Sequence, residues 1–429
     1  MNESGTGLRG YESYKDSGVE WLGAVPSHWD VKPGLTCFKE NKDRNNSLLE
    51  KTILSLSYGR IIIKPDKKMT GLVPASFENY QLIRPGDIVI RTTDLQNDQT
   101  SLRVGLAKDK GMITSAYLGL RCVQSINPAF IYRLLEGYDA QKIFYGMGSG
   151  LRQNIDFQDF KRMPILLPPR SEQDRIAQFL DEKTAEIDAV IAKKERLIEL
   201  LQEQKRILIH RAVTRGMDPD ASLKDSGVEW IGSIPAHWET KKAKYLLHQT
   251  KSPVKKEHNI VTAFRDGQVT LRSNRRTEGY TFAILEQGYQ AVRPGQLVIN
   301  SMDAFAGAIG VSDSEGKCSP EYVVCDSVNS DDMDLHFAAL LLRQMALSGY
   351  IEVICSAVRQ RALRIRFNDL APLTLIIPPI DEQKAIVNMV DGLEVSFKTI
   401  VEKTREELKG VSDYRNILIS SVVTGKIKV

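Results

Sequence analysis

Cysteine is scarce in this 429-residue chain: Cys37, Cys122, Cys318, Cys325 and Cys355 are odd in number, irregular in spacing and form no CxxC pair. That excludes a disulfide framework and a tetrathiolate zinc site, and it fits thiols in a reducing cytoplasm. Long hydrophobic runs are missing as well. The longest apolar stretches, Met163 to Pro169 and Leu373 to Pro379, are strand-length, short of the roughly 18 residues of a membrane span, and nothing resembles a secretory leader, so no membrane partner is expected. Charge of one sign is also lacking. With 58 Lys and Arg against 54 Asp and Glu the net charge is +4, so any polyanion must be held by local patches.

Catalytic signatures are absent too. There is no GxxxxGK[ST] loop, no HExxH, no GxSxG and no His/Cys set at metal spacing. His28 and His237 each stand alone beside a tryptophan and are read as structural. The run from Pro65 to Lys68 lacks the second acid that a metal-dependent nuclease needs. Catalytic, cofactor-binding and metal-binding residues are therefore not expected. Aromatic residues do not alternate with basic ones, which favours duplex over single-stranded partners.

What is present is repetition. The segment Lys15 to Trp21 returns unchanged as Lys224 to Trp230, and LGAVPSHW, ending at Trp29, returns as IGSIPAHW, ending at Trp238. RPGDIVI (Arg84 to Ile90) answers RPGQLVI (Arg293 to Ile299), and Ile155 to Ile176 answers Ile365 to Ile386. AVTRG near Thr214 answers VVTGK near Thr424. Two units of about 210 residues thus share a frame and differ in their middles, roughly 35 to 150 and 244 to 360. The shared parts specify a fold, and the divergent middles do different work.

After each PP dipeptide an amphipathic helix is expected. Positions 176, 180, 183, 187, 190, 194, 197, 201, 204 and 208 keep a 4-3 alternation, most of them apolar. The second arm repeats this with Ile386, Val390, Leu393, Phe397, Ile400, Val411, Tyr414 and Leu418. Ser171 and Asp381 are the expected N-caps. The stripe of each arm needs a partner. Its own domain is one candidate; the regular heptad favours the other arm, in an antiparallel coiled coil. From Ser171 to Ala212 nine acids meet eight bases, so the arm is a ruler more than a DNA-binding stripe.

The middles read as short strands, such as Ile53 to Leu56, Asp87 to Arg91, Tyr117 to Val123, Gln296 to Asn300 and Tyr322 to Cys325, with helices near Pro128 to Leu135 and Leu335 to Leu347. Here charge becomes informative. Arg265, Arg272, Arg275 and Arg276 surround Asn274 with one acid among them, and Arg359, Arg361, Arg364 and Arg366 have none. Arginine suits guanine edges and phosphates, and Asn or Gln suits adenine. Candidate DNA-binding residues are Arg91, Thr92, Thr93, Ser149, Arg152 and Gln153 in the first copy. In the second they are Arg265, Arg272, Asn274, Arg275, Arg276, Asn300, Arg359, Gln360 and Arg361. The alternative is solvated arginines paired with nearby acids.

The repeated GVEW…P(S/A)HW starts, the LLPPRSEQDRI and IIPPIDEQKAI helix entries, the AVTRG and VVTGK ends and the TAEI at Thr184 to Ile187 resemble, over essentially the full length, the specificity subunit of Type I restriction-modification enzymes. The resemblance implies an α+β fold: target-recognition domains at 1–169 and 216–379, separated by antiparallel coiled-coil spacer helices at 170–215 and 380–429, with pseudo-two-fold symmetry. It implies a non-catalytic, cytoplasmic subunit without its own cofactor. Its partners would be double-stranded DNA with a bipartite site, two methyltransferase subunits and two restriction/translocase subunits. The rival readings are a structural protein-protein scaffold and a stand-alone DNA-modifying enzyme.

Overall fold

Ile88–Ile90 is apolar and buried along its whole length, so it needs a strand on either side. It finds them in a four-stranded antiparallel sheet of order Phe38–Glu40, Leu118–Cys122, Ile88–Ile90, Val104–Leu106. Leu118 stands opposite Ile90, and Leu120 opposite Ile88. The second half repeats the order with Leu247–Gln249, Tyr322–Ser327, Leu297–Asn300 and Ile309–Val311. A hairpin accompanies each sheet, Leu54–Ser57 with Arg60–Ile63 in the first half and Val261–Ala263 with Val269–Leu271 in the second.

The computed structural model describes residues 9–64, 76–96, 98, 102–147, 154–275, 287–354 and 364–429. Its helices are α1 (Pro128–Ala140), α2 (Phe157–Phe160), α3 (Arg170–Arg215), α4 (Leu335–Leu347), α5 (Tyr350–Ile354), α6 (Phe367–Leu370) and α7 (Ile380–Val423). The fold is therefore mixed helix and strand. No helix among the described residues is long and apolar enough to cross a membrane.

Two units divide the chain. Unit 1 is Met1–Arg196 with Arg405–Val429, and unit 2 is Leu197–Thr404. In unit 1 the core joins Trp29, Phe38, Ile88, Phe130 and Leu134 to Ile176 and Leu180 of α3 and Leu418 and Val422 of α7. Unit 2 mirrors this. Trp238, Leu297, Phe337 and Leu341 pack with Ile386 and Val390 of α7 and Ile209 and Val213 of α3.

The long helices run 46 and 44 residues, and Gly410 lies inside α7. Each starts two residues earlier than expected, so Ser171 and Asp381 sit in the first turn and are not caps. The Pro169 carbonyl accepts from Glu172 and Gln173 at 2.8 and 3.0 Å.

Half of the expected stripe holds, with Ile187, Lys194, Leu201 and Leu208 half-buried, and the alternate positions shift by one residue. Thr184, Ile191, Ile198 and Lys205 turn inward, while the expected Val190 and Leu197 are 42% and 45% exposed. The cause is at Thr184, whose hydroxyl accepts from the buried guanidinium of Arg133 at 2.8 Å. A 4-4 step from Ile176 through Leu180 to Thr184 follows, and a 3-4 alternation then runs through Ile187, Ile191, Lys194 and Ile198. On α7, Ile400 and Tyr414 are likewise exposed, and Val401 and Arg415 lie closer in. Within unit 1, Asp188 meets Arg415 at 3.0 Å and Lys194 meets Glu407 at 2.7 Å, an antiparallel progression. Within unit 2, Lys205 meets Glu394 at 3.1 Å.

The repeated motifs now have physical causes. The Glu after each PP binds the frame histidine: Glu172 Oε2 lies 2.9 Å from His28 Nε2, and Glu382 Oε2 lies 2.8 Å from His237 Nε2. Each following Gln ties the start of a long helix to the N-cap residue of a domain helix. Gln173 accepts from Asn127 N and donates to Pro168 O, both 2.9 Å; Gln383 does the same with Asp334 N at 2.8 Å and Pro378 O at 2.9 Å. The terminal glycines end the helices in the left-handed region, Gly216 at φ +74° and Gly425 at φ +73°. A Cβ on Gly216 would lie 3.2 Å from Trp238, and one on Gly425 would lie 3.3 Å from Trp29.

Candidate nucleic-acid interface

In unit 1 the chain leaves its central strand at Arg91 and meets the segment preceding α2. Thr92 O accepts from Ile155 N at 3.0 Å, and Asp94 N donates to Asn154 Oδ1 at 3.2 Å. Two stretches distant in sequence thus converge at one sheet corner. Arg91, with a side chain 33% exposed, pairs with Asp98 at 3.0 Å. Thr92 is buried and contributes its carbonyl; Thr93 is half-buried. Ser149, Arg152 and Gln153 lie outside the described residues.

Unit 2 repeats the junction with different side chains. Ile365 N donates to Ser301 O at 3.2 Å, so the end of the second arginine-rich stretch meets the loop that begins at Asn300. Asn300 is buried and shapes that loop. Its Oδ1 accepts from Met302 N at 3.2 Å, and its Nδ2 donates to the Tyr322 hydroxyl at 3.4 Å. The hairpin reaches the same loop through Arg265, whose guanidinium lies 2.9 Å from Asp303. Arg272 donates to Thr262 Oγ1 at 3.4 Å, and Asn274 donates to Thr270 Oγ1 at 2.8 Å. Arg275 stacks on Phe264 at 4.3 Å and pairs with Asp266 at 2.7 Å. Arg276, Arg359, Gln360 and Arg361 lie outside the described residues.

Carboxylates near these arginines come partly from other segments. Arg364 meets Glu321 at 3.0 Å, as Arg265 meets Asp303, and counting acids along the sequence could not show this. Such rim pairs are weak in water, and their guanidinium groups stay open to a phosphate. A groove of about 310 Å³ lies beside this corner, lined by Lys251, Ser301, Glu321, Arg364, Arg366 and Asn368 among others. Its polar lining and two arginines suit a nucleic-acid edge better than an apolar ligand.

Sequence reading missed Arg103. It is fully buried beneath the Arg91 to Asp98 loop, and nothing in the run Leu102-Arg-Val104 sets it apart from a surface arginine. Other reactive groups are muted. Burial pushes the thiols of Cys122, Cys318 and Cys325 up to about 12, which removes thiolate character at neutral pH. Cys355 and the Pro65 to Lys68 run lie outside the described residues.

No family model matches the chain. Individual proteins do. The type I restriction enzyme EcoDI specificity subunit of Escherichia coli is 22% identical over 70% of each chain. The MjaX specificity subunit assigned to Methanocaldococcus jannaschii is 23% identical over 95% of this chain and 96% of its own. Among solved structures, a chain from work on complex assembly and conformational transition of the type I R-M system superposes with a TM-score of 0.64. It is 15% identical, with 93% of this chain and 98% of that one covered. By sequence along nearly its whole length and by fold, the chain is a homologue of the specificity subunits of type I restriction enzymes.

Proposed function

We propose that this chain is the sequence-reading subunit of a type I restriction-modification complex. One observation carries the reading: both units bring a strand-end loop and the segment before a short helix together at the same sheet corner, with different side chains in each. A shared scaffold with divergent loops is what two independent readers of one bipartite duplex site require. Residues 1–169 and 216–379 are the target-recognition domains, and 170–215 and 380–429 are spacer helices paired as an antiparallel coiled coil. The candidate contacts are Arg91, Thr93, Arg265, Arg272, Asn274 and Arg275, with Thr92 and Asn300 shaping the loops that hold them.

The chain itself catalyses nothing. Two methyltransferase subunits and two restriction/translocase subunits supply the chemistry in the cytoplasm. Exposed apolar side chains on the long helices, Val190, Leu197, Leu200 and Ile207 on α3, suit protein partners. Methylome sequencing of cells with and without this gene tests the reading. A bipartite methylated motif lost with the gene is the expected result, and an unchanged methylome overturns it.

A further inference from the structure

Arg103 sits immediately before the edge strand Val104–Leu106, and none of its surface is exposed. A guanidinium has five N–H donors, and all five are used here. Nη1 donates to Arg91 O at 3.2 Å and Thr93 O at 2.9 Å; Nη2 donates to Asp94 O at 3.3 Å and to Asp98 O; Nε donates to the Tyr145 hydroxyl at 3.1 Å. That hydroxyl in turn donates to Asp98 O at 3.2 Å. Four carbonyls of one loop therefore converge on one side chain. The loop includes Asp94 at φ +61°, in the left-handed region that few non-glycine residues adopt, aspartate among them.

Burying a cation is costly, and packing alone would be served by an apolar residue. Unit 2 shows that alternative. There the buried Ala308 stands before the corresponding strand, and the shorter loop closes on its own backbone, with Ala308 N to Asp303 O at 3.1 Å and Gly307 N to Ala304 O at 2.8 Å. We infer that Arg103 is a positioning residue for sequence recognition by unit 1: it templates the backbone that presents Arg91, Thr93 and Asp94 to the DNA. This rests on the reading that the loop faces DNA.

The test uses the subunit assembled with its methyltransferase partners and a duplex library randomised in both half-sites, scored by methylation at each position. Lysine carries a point charge and three donors and cannot span four carbonyls. Arg103→Lys is expected to lower base discrimination about tenfold in one half-site, while the other half-site keeps its preference. Tyr145→Phe removes one donor's partner and the Asp98 bond, and it should shift the same half-site by a smaller factor. If Arg103→Lys prevents folding, Tyr145→Phe decides. A folded variant with an unchanged profile, or equal losses in both half-sites, overturns the inference. Arg91→Ala and Thr93→Ala separate the two claims: if neither alters either half-site, the loop does not read DNA; if they alter one and the Arg103 and Tyr145 variants do not, only the positioning role fails.

Discussion

Arg415, near the end of α7, holds two carboxylates of unit 1 at once: Nη2 lies 3.0 Å from Glu136 Oε1 on α1, and Nε lies 3.0 Å from Asp188 Oδ1 on α3. Glu136 also takes Arg133 Nη1 at 2.7 Å, and Arg133 reaches Asp181 at 2.7 Å. The side chains of Arg133 and Glu136 are both only 8% exposed, so the network joins a domain helix to both long helices with little water. Removing one member of a buried ionic cluster leaves its partners uncompensated. Arg415→Met is expected to destabilise unit 1 by about 3 kcal/mol, read as a lower calorimetric Tm. Arg415→Lys should recover part of that loss, because one ammonium cannot fork to both acids.

Asp139 gives a pH signature. Its Oδ2 accepts from the Arg103 backbone N–H at 2.8 Å, and its Oδ1 is buried without a hydrogen-bond partner. Burial pushes its carboxyl up from 3.8 to about 6, against the pull of that hydrogen bond. Between about pH 4 and 6 the unfolded chain has lost this proton while the folded one keeps it. The group therefore costs stability progressively as pH rises through that window, on the order of 3 kcal/mol in full. Asp139→Asn removes the titration. Thermal melts should show the variant gaining on the parent from pH 4 to 6 and holding a constant difference above; a difference independent of pH contradicts this.

The sheets, α1, α4 and the long helices were legible because apolar runs, turn residues and duplication all pointed the same way. Leu118–Cys122 and Leu335–Leu347 lie within a residue or two of their expected bounds. Every second position of the long-helix stripe was legible and the alternate ones were not, since the inward turn of Thr184 depends on Arg133, a residue from a different helix. The same limit applies at the candidate interface. Local counting found the arginines but could not find Asp303 or Glu321, which arrive from other strands and loops, or the burial of Arg103.

If α3 and α7 are the spacer between readers, their length sets the gap in the DNA site. Four residues added to each helix keep the antiparallel register and add about 6 Å of rise, close to two base pairs at about 3.4 Å each. Methylation of a library that varies the non-specific gap should shift to longer gaps, with both half-site sequences unchanged. An unshifted preference would remove the ruler role.

Arg275 offers the sharpest separation of a DNA contact from a solvated ion pair. Its guanidinium is shared between the Phe264 face and the Asp266 carboxylate, with about a third of the side chain exposed. A phosphate would compete with Asp266 for the same donors. Arg275→Ala should weaken duplex binding by the assembled complex and reduce its salt slope by roughly one. Asp266→Asn should act in the opposite direction, tightening binding at moderate salt, because it frees the guanidinium and removes a repulsive charge from the DNA face. A structural pair would give another pattern: both substitutions would lower stability and neither would move the salt dependence. Binding isotherms at several salt concentrations, with melting temperatures for each variant, therefore decide between the two roles.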